Sequence, residues 1–341
     1  MPLNLLHHQD VTLSQNNSFA HNAETAMAAI FAPAGPRLSD AEKRLFREAN
    51  PFGFILFARS VEHPEQLAAL CAELKEAVGR ECPIMIDQEG GRVARLKPPI
   101  WKGYPAARVF GAMAYSDKPQ AIDELSMRTK SIAKELRASG LNMNCDPVLD
   151  VLRPETHDVI GDRAYSDDPA LVGELGLQVC RDYLSAGITP IIKHIPGHGR
   201  AQADSHLELP VVDATRREME GLDFVPFRYV ASSEVGKQVW AMSAHILYPA
   251  LDPDLPLTLS RHAIDDVIRG SIGFDGILIS DDVSMKALDP YGDLGTRCAA
   301  SITAGCDIAL YCAGHLNEME EIAKSVPKIS ETTLKRLQNA A

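Results

Sequence analysis

The length, composition and charge of the chain exclude several classes of protein. Its 341 residues are 45% hydrophobic, as in an ordinary globular protein, and provide ample material for a large core. The formal net charge of −12 argues against nucleic acid as a partner, because phosphate binding needs a basic surface.

The first residues and the cysteines indicate the cellular compartment. Residues 1–23 lack the charged start and apolar core of a secretory signal, and we expect a loosely held arm there, ahead of a single domain over residues 24–341. No window approaches the roughly 18 consecutive apolar residues of a membrane span. The seven cysteines are scattered without a CxxC pair, mostly in apolar segments, as buried free thiols are. We therefore expect a cytoplasmic protein without disulfides.

Short apolar runs alternate with helical segments along almost the whole chain. Ser39 and Glu42 form a capping-box pattern, and Pro64 and Pro169 stand where the first turns of two further helices are expected. Gly140 and Gly187 are expected to end two other helical segments. Eight runs are predicted as strands: 26–31, 53–57, 83–87, 141–145, 190–194, 239–244, 276–281 and 307–312.

Eight such β-then-α units predict an α/β fold, a single-domain (β/α)8 barrel of the TIM type, with an open doubly wound sheet as the alternative. We prefer the barrel because reactive residues follow the ends of strands in at least five units. In a barrel these ends surround one pocket, whereas in an open sheet some would lie far from it. The residues concerned are Asp87, Asp146, Lys193, His194, His245 and Asp281.

The segment from Lys193 to His206 holds three histidines, two glycines, a proline and an aspartate. The predicted strand delivers Lys193 and His194 to a pocket, either as hydrogen-bond donors or with the lysine as a Schiff-base former. The glycines and proline indicate a loop, which His198 is expected to support. Asp204 and His206 would share a face of an extended segment, where the carboxylate can orient the imidazole. The sequence therefore predicts that Asp204 and His206 form a pair that transfers protons.

Carboxylates and arginines at other strand ends are further candidates. Asp281 is predicted to be a nucleophile or a metal ligand, and Asp282 to cap the segment that follows. Asp87 with Arg95 suits a ligand rich in hydroxyls, although a structural ion pair is the alternative. Arg163, in the loop after the fourth strand, is a candidate ligand contact. Two residues stay open between a pocket role and a structural one: Arg92 and His245.

The order of these motifs resembles the family 3 glycoside hydrolases, and more narrowly the single-domain bacterial β-N-acetylhexosaminidases of cell-wall recycling. The resemblance spans about residues 26–312, and its motifs are IDQEGGRV, PVLDV, GDRAY, KHIPGHG, DSH and SDD. It implies a retaining hydrolase with Asp281 as nucleophile, His206 as general acid/base and Asp204 as the partner of His206 on a mobile loop. It also implies a set of residues that bind N-acetylglucosamine: Asp87, Arg95, Arg163, Lys193 and His194.

The substrate implied by the resemblance is a small carbohydrate, the terminal N-acetylglucosamine of GlcNAc-anhydroMurNAc muropeptides, with no cofactor and no metal. Three alternatives remain. A β-glucosidase or another family 3 glycosidase would share these residues. A metal-dependent barrel hydrolase usually needs an HxH pair on the first strand, which residues 26–31 lack. A non-catalytic sugar-binding barrel would lack a nucleophile such as Asp281.

Overall fold

In a computed structural model, which describes residues 15–340, the chain forms a closed barrel of eight parallel strands. The strands pair in sequence order, and the first closes the barrel against the last, with Ala29 opposite Ala309. The predicted barrel is confirmed, and the open sheet is wrong. The strands are β1 Met27–Phe31, β2 Pro51–Leu56, β3 Ile84–Ile86, β4 Met143–Asn144, β5 Thr189–Ile195, β6 Trp240–Ser243, β7 Leu278–Asp282 and β8 Ile308–Leu310.

Helices occupy the connections between strands and both ends of the described chain. A π-helical stretch, Ile264–Ser271, continues the ninth of them, and short 3-10 turns lie at Ala58–Ser60, Gly161–Arg163, Leu257–Leu259 and Lys286–Tyr291. The helices are α1 Gln15–Ala20, α2 Asp40–Ala49, α3 Pro64–Val78, α4 Ala107–Ala114, α5 Lys118–Ala138, α6 Pro169–Ser185, α7 Arg216–Gly221, α8 Val225–Ala231, α9 Arg261–Ala263, α10 Leu294–Ala304, α11 Leu316–Ser325 and α12 Glu331–Gln338.

The predicted helix ends are confirmed. Ser39 and Glu42 satisfy each other's backbone N–H groups in a capping box at the start of α2. Pro64 and Pro169 occupy the first turns of α3 and α6, where a missing N–H costs nothing. Gly140 and Gly187 follow the C-caps of α5 and α6 with φ of 84° and 71°, a conformation that glycine adopts without steric penalty.

The strands are buried on both faces, because side chains fill the barrel and helices cover its outside. Every residue of β1, β2, β5 and β6 is buried, which explains why the sequence shows continuous apolar runs in place of alternation. In β7 the first three residues are buried and the last two, Asp281 and Asp282, are partly exposed. The carboxyl end of β7 therefore emerges from the core with its two carboxylates.

Helix α1 packs against the barrel beside the start of β6. Asn16 donates to the carbonyl of Gln238 and accepts from the Trp240 indole N–H, at 2.8 and 2.9 Å. The Phe19 ring meets the Trp240 ring edge to face, and Phe19 is buried. Over residues 15–20 the predicted loosely held arm is thus a packed helix, because it buries an aromatic ring and satisfies an indole. Residues 1–14 lie outside the described residues.

The longer connections follow the carboxyl ends of strands. After β3 the chain forms an antiparallel hairpin from Gln88–Gly90 and Val93–Ala94. Long irregular segments then follow β4 and β5, and a 3-10 turn follows β7. These connections form the rim of the barrel end at which the reactive residues collect. Within residues 15–340 no helix combines the length and apolarity needed to cross a bilayer.

Candidate active site

A cavity of about 490 Å³ opens at the carboxyl ends of the barrel strands. Its apolar wall includes Ile55, Phe57, Met242 and Leu310, from or next to three different strands. The structure brings seven of the predicted site residues to this cavity, and the eighth, Asp204, contacts one of the seven directly. The seven are Asp87, Arg95, Arg163, Lys193, His194, His206 and Asp281.

Five charged side chains form one connected cluster on one side of the cavity. The Lys193 ammonium lies 2.9 Å from Asp87 Oδ1 and 2.7 Å from Glu89 Oε1. Arg95 donates to the other oxygen of Asp87 at 3.1 Å. Arg163 donates two hydrogen bonds to Glu89, at 2.9 and 2.8 Å. We call these five residues the charged cluster; its three cations and two carboxylates fix one another and leave a net positive charge.

The members of the charged cluster stay ionised because the attraction between their opposite charges offsets the cost of burying them. Burial disfavours the charged form of Asp87, yet Lys193 and Arg95 hold the pKa of that carboxyl well below its ordinary value. Burial likewise opposes ionisation of Glu89, and Arg163 with Lys193 lowers its pKa to about 2. Burial opposes the charge of Lys193, but the two carboxylates raise its pKa. A lysine held as an ion-paired ammonium fits hydrogen-bond donation and does not fit Schiff-base formation.

Glu89 is a member of the charged cluster that the sequence analysis did not single out. It lies two residues after Asp87 in an extended segment, so both side chains point to the same side of the chain. That spacing is the sequence pattern from which a site role for Glu89 could have been predicted. The burial of Glu89 beneath Arg163 and Lys193 depends on where three separate loops meet, which no local pattern reveals.

His194 is held by a buried carboxylate from the loop after β4. Its Nδ1 lies 2.7 Å from Asp150 Oδ2, and the other oxygen of Asp150 accepts the backbone N–H groups of His194 and His198 at 3.2 and 2.6 Å. Burial opposes ionisation of Asp150, and His194 lowers the pKa of the carboxyl to about 2. The imidazole is therefore oriented toward the cavity by a fixed anion, as in other carboxylate–histidine pairs. Sequence reasoning missed Asp150 as a partner.

Lys193 and His194 are adjacent in β5, yet both line the cavity. Successive side chains of a regular strand point to opposite faces. Here the register with β6 shifts between Lys193 and Ile195, as at a β-bulge, and such irregularities re-aim side chains beside active sites. The end of β5 thus supplies two polar groups to one pocket.

Asp281 enters the cavity from the end of β7. Its Oδ1 accepts the backbone N–H of Asp282 at 2.8 Å. Burial raises the pKa of a carboxyl, but the neighbouring imidazoles of His245 and His194 together with this hydrogen bond keep the pKa of Asp281 below its ordinary value. The side chain is therefore an anion without a salt bridge to a cation of the charged cluster, the state required of a carboxylate nucleophile.

Two other residues at strand ends, Asp282 and His245, have structural contacts. Asp282 accepts the backbone N–H groups of Ser284 and Cys312 at 3.0 and 3.2 Å, which agrees with the predicted capping role. His245 is buried between Thr258 and the carbonyl of Asp282, so it is a core residue behind Asp281.

Asp146 does not face the cavity, contrary to the expectation that all the strand-end groups surround one pocket. It is buried against Arg128 of α5 at 3.4 Å and accepts the Tyr183 hydroxyl of α6 at 3.0 Å. Its side chain points outward to the helix layer, because neighbouring positions near a strand end alternate between the two faces of the barrel. For His245, whose role the sequence left open, the structure shows the structural role.

Asp204 and His206 pair on the loop after β5. His206 Nδ1 lies 2.7 Å from Asp204 Oδ1, which also accepts the His206 backbone N–H at 2.9 Å. The carbonyl of Asp204 accepts the N–H groups of Leu207 and Glu208, so the pair sits in a tight turn and not in the predicted extended segment. Burial opposes ionisation of Asp204, but its two hydrogen bonds from His206 lower the pKa of the carboxyl. His206 lines the cavity, and 63% of its side chain is exposed.

Arg92 lies at the rim and holds the loop that carries Arg163. Its Nε donates to Asp162 at 2.8 Å, and its Nη2 donates to the carbonyl of Val159 at 3.1 Å. Arg163 donates to the same carbonyl at 3.0 Å. Arg92 therefore combines the two roles left open by the sequence: it lines the cavity, and it fixes a neighbouring loop.

The arrangement places the Asp281 carboxylate, the Asp204–His206 dyad and a fixed set of charged donors around one cavity. The carboxylate can act as a nucleophile, the imidazole can transfer a proton, and the charged cluster can hold a ligand with many hydroxyls. Within residues 15–340 no three His, Cys, Asp or Glu side chains are grouped so that they could hold a metal ion.

The chain is similar to known proteins in both sequence and structure. The sequence matches the family model for the glycosyl hydrolase family 3 N-terminal domain over residues 22–341. A β-hexosaminidase of Alkalilimnicola ehrlichii is 37% identical over 306 residues, which cover 89% of this chain and 86% of the relative. The structure of NagZ from Neisseria gonorrhoeae in complex with N-trifluoroacetyl-D-glucosamine is similar at a TM-score of 0.84 and 30% identity, covering 93% of this chain and 90% of that one.

A larger protein shares the same barrel. The glycoside hydrolase family 3 β-N-acetylglucosaminidase from Paenibacillus sp. str. FPU-7 has a TM-score of 0.80 and 30% identity to this chain. The match covers 96% of this chain and 61% of that longer protein.

Proposed function

The chain belongs to glycosyl hydrolase family 3 and is a glycoside hydrolase, and from this premise we propose that it is a retaining exo-β-N-acetylglucosaminidase. The observation that carries the proposal is that Asp281 and His206 line the same cavity as the charged cluster. A nucleophile, a proton donor and a sugar-binding surface are the three parts that a retaining glycosidase needs.

Asp281 is the nucleophile in this proposal. Its carboxylate attacks the anomeric carbon while His206 gives a proton to the leaving glycosidic oxygen, so that the carbon–oxygen bond to the aglycone breaks and a glycosyl–Asp281 ester forms. Water then attacks the anomeric carbon while His206 removes a proton from that water, and the bond from this carbon to Asp281 breaks, which releases the sugar and restores the carboxylate. Asp204 holds the imidazole at Nδ1 and stabilises its protonated form, so that proton transfer takes place at Nε2.

The charged cluster and His194 bind the terminal sugar. Carboxylate oxygens accept hydrogen bonds from sugar hydroxyls, and the lysine and arginine groups donate to hydroxyl or amide oxygens. Lys193 and Glu89 are almost completely buried, so the cluster forms a closed inner wall of the cavity. Such a wall admits the end of a saccharide and blocks a through-passing chain, which favours release of single terminal residues.

The proposed substrate is the terminal non-reducing N-acetylglucosamine of peptidoglycan fragments, GlcNAc-anhydroMurNAc muropeptides, in the cytoplasm. Two findings support the N-acetyl sugar: a relative is a β-hexosaminidase, and a structural neighbour binds N-trifluoroacetyl-D-glucosamine. The fragment and the compartment rest on the resemblance to enzymes of cell-wall recycling and on seven free cysteines, six of them buried.

Comparing two aryl glycosides tests the sugar specificity. The proposal predicts that 4-nitrophenyl N-acetyl-β-D-glucosaminide is hydrolysed with a kcat/KM at least about 100-fold above that of 4-nitrophenyl β-D-glucoside, because unpaired polar groups in the site reject a sugar without the acetamide. Comparable values, or a preference for the glucoside, would overturn the proposal in favour of a β-glucosidase. Incubation with GlcNAc-anhydroMurNAc should release free N-acetylglucosamine, seen by chromatography.

A further inference from the structure

Ser205, the residue between Asp204 and His206, is the buried part of the acid/base loop. Its exposure is 3%, whereas 63% of the His206 side chain is exposed. The Ser205 hydroxyl lies 3.3 Å from His198 Nε2, and its carbonyl accepts the backbone N–H of Ala287 at 3.4 Å. Ser205 thus ties the dyad to His198, earlier in the same loop, through its side chain and to the turn after β7 through its backbone.

His198 is a buried imidazole with a narrow set of polar contacts. It is 3% exposed, and its backbone N–H donates to Asp150. Its Nδ1 atom finds no hydrogen-bond partner among residues 15–340, so its ring makes its one hydrogen bond in the described chain to Ser205. A buried ring nitrogen is costly unless it is satisfied, and here the satisfied one faces the acid/base loop.

The same histidine is connected to the sugar-binding side of the pocket. Asp150 accepts hydrogen bonds from both His194 and the backbone of His198, and the two imidazole rings lie edge to face at 5.5 Å. Burial, helped by the nearby His194, lowers the pKa of His198 to about 4, so the His198 ring is neutral near pH 7. One carboxylate therefore anchors a sugar-binding group and the support of the acid/base loop.

We propose that His198 and Ser205 are positioning residues that hold the His206–Asp204 dyad over the pocket. The inference rests on the proposed function, in which His206 is the acid/base. A hydroxyl–imidazole contact at the centre of the turn fixes the dyad through its middle residue, and small displacements of a proton donor cost large factors in rate. Neither residue is among those that line the cavity, so each acts through His206.

The test compares two substrates that differ in their need for protonation. Removing the contact with Ser205→Ala should lower kcat/KM for N,N′-diacetylchitobiose by about tenfold to 100-fold, because its sugar leaving group needs an acid. The value for 4-nitrophenyl N-acetyl-β-D-glucosaminide should change less than about threefold, since nitrophenolate leaves without help. Ser205→Thr keeps the hydroxyl and should retain activity on both substrates. Gln202→Ala, at an exposed position of the same loop, is the matched control.

A second arm separates failure of this inference from failure of the proposed function. In a His206→Ala background, Ser205→Ala should cause no further loss on diacetylchitobiose, because the group that it positions is gone. A full additional loss would show that Ser205 acts elsewhere and would overturn the inference. If Ser205→Ala is as active as the natural protein while His206→Ala is impaired, the inference is wrong and the proposed function stands.

If His206→Ala itself keeps its activity on diacetylchitobiose, the proposed function fails, and the inference fails with it. His198→Gln provides an independent check on the same contact, because its amide can replace one ring nitrogen. Its kcat/KM should fall for diacetylchitobiose, by as much as in Ser205→Ala or by less, and should change little for the nitrophenyl glycoside. A variant that loses activity equally on both substrates would contradict a positioning role.

Discussion

At the scale of single residues, the role of His206 makes the sharpest prediction about the proposed chemistry. His206→Ala should lower kcat/KM for N,N′-diacetylchitobiose by roughly 10²–10⁴-fold, because the leaving oxygen then lacks a general acid. The loss with 4-nitrophenyl N-acetyl-β-D-glucosaminide should be far smaller. His63→Ala, which changes a half-exposed histidine outside the cavity, is the control. An equal loss on both substrates would contradict the acid role.

The charged cluster predicts a stability effect at Lys193. Lys193→Met leaves Asp87 and Glu89 buried with one cation fewer, and it should lower the free energy of unfolding by about 3–5 kcal/mol. Lys130→Met removes an exposed partner of Asp182 and should cost less than about 1 kcal/mol. Urea denaturation followed by circular dichroism measures both. Equal losses in the two variants would mean that the cluster does not depend on Lys193.

Several candidate site residues could be predicted from the sequence because they stand where an apolar run ends at the barrel rim. Asp281, Lys193 and His194 are examples, and each reaches the cavity. Asp146 also ends a strand, but its side chain turns to Arg128 in the helix layer. The direction of a side chain at a strand end depends on strand register and bulges, and neither has a local sequence signature.

At the scale of elements, the barrel strands were predictable even where they are short. Strand β4 has two residues in regular pairing, yet the predicted run 141–145 contains it, because a chain segment inside a barrel is apolar whether or not it is regular. The amino-terminal helix was not predictable in this way. Its segment is polar apart from Phe19 and Ala20, and its packing depends on Trp240, which is distant in sequence.

We therefore expect helix α1 to contribute to the stability of the fold, although its sequence predicts a loosely held arm. Phe19→Ala should lower the free energy of unfolding by about 3 kcal/mol, because it removes a buried ring that packs on Trp240. Ser18→Ala, on the same helix, should change it by less than about 0.5 kcal/mol. Thermal unfolding of both variants is the measurement. If Phe19→Ala unfolds like the natural protein, helix α1 is not part of the cooperative fold.

At the scale of the whole molecule, the buried carboxylates predict how stability responds to acid. The pKa values of Glu89 and Asp150 are both lowered to about 2 in the folded chain, whereas unfolded carboxyls titrate near 4. The unfolded state therefore binds more protons between these values, and the stability that the two anions provide is present above about pH 4 and is lost as the pH falls toward about 2.

The measurement is the unfolding midpoint in urea as a function of pH. The midpoint should fall between about pH 4 and about pH 2, and Asp150→Asn should show a shallower fall over the same interval because one of these titrating groups is gone. A variant profile parallel to that of the natural protein would contradict the assignment of a lowered pKa to Asp150.

The central claim is that Asp281 forms a covalent bond to the sugar. Incubation with a fluorinated N-acetylglucosaminide that accumulates the glycosyl-enzyme, followed by proteolysis and mass spectrometry, locates that bond directly. The account predicts one added sugar on the peptide that contains Asp281, and no label after Asp281→Asn. A label on another residue, or inactivation without any covalent adduct, would contradict it.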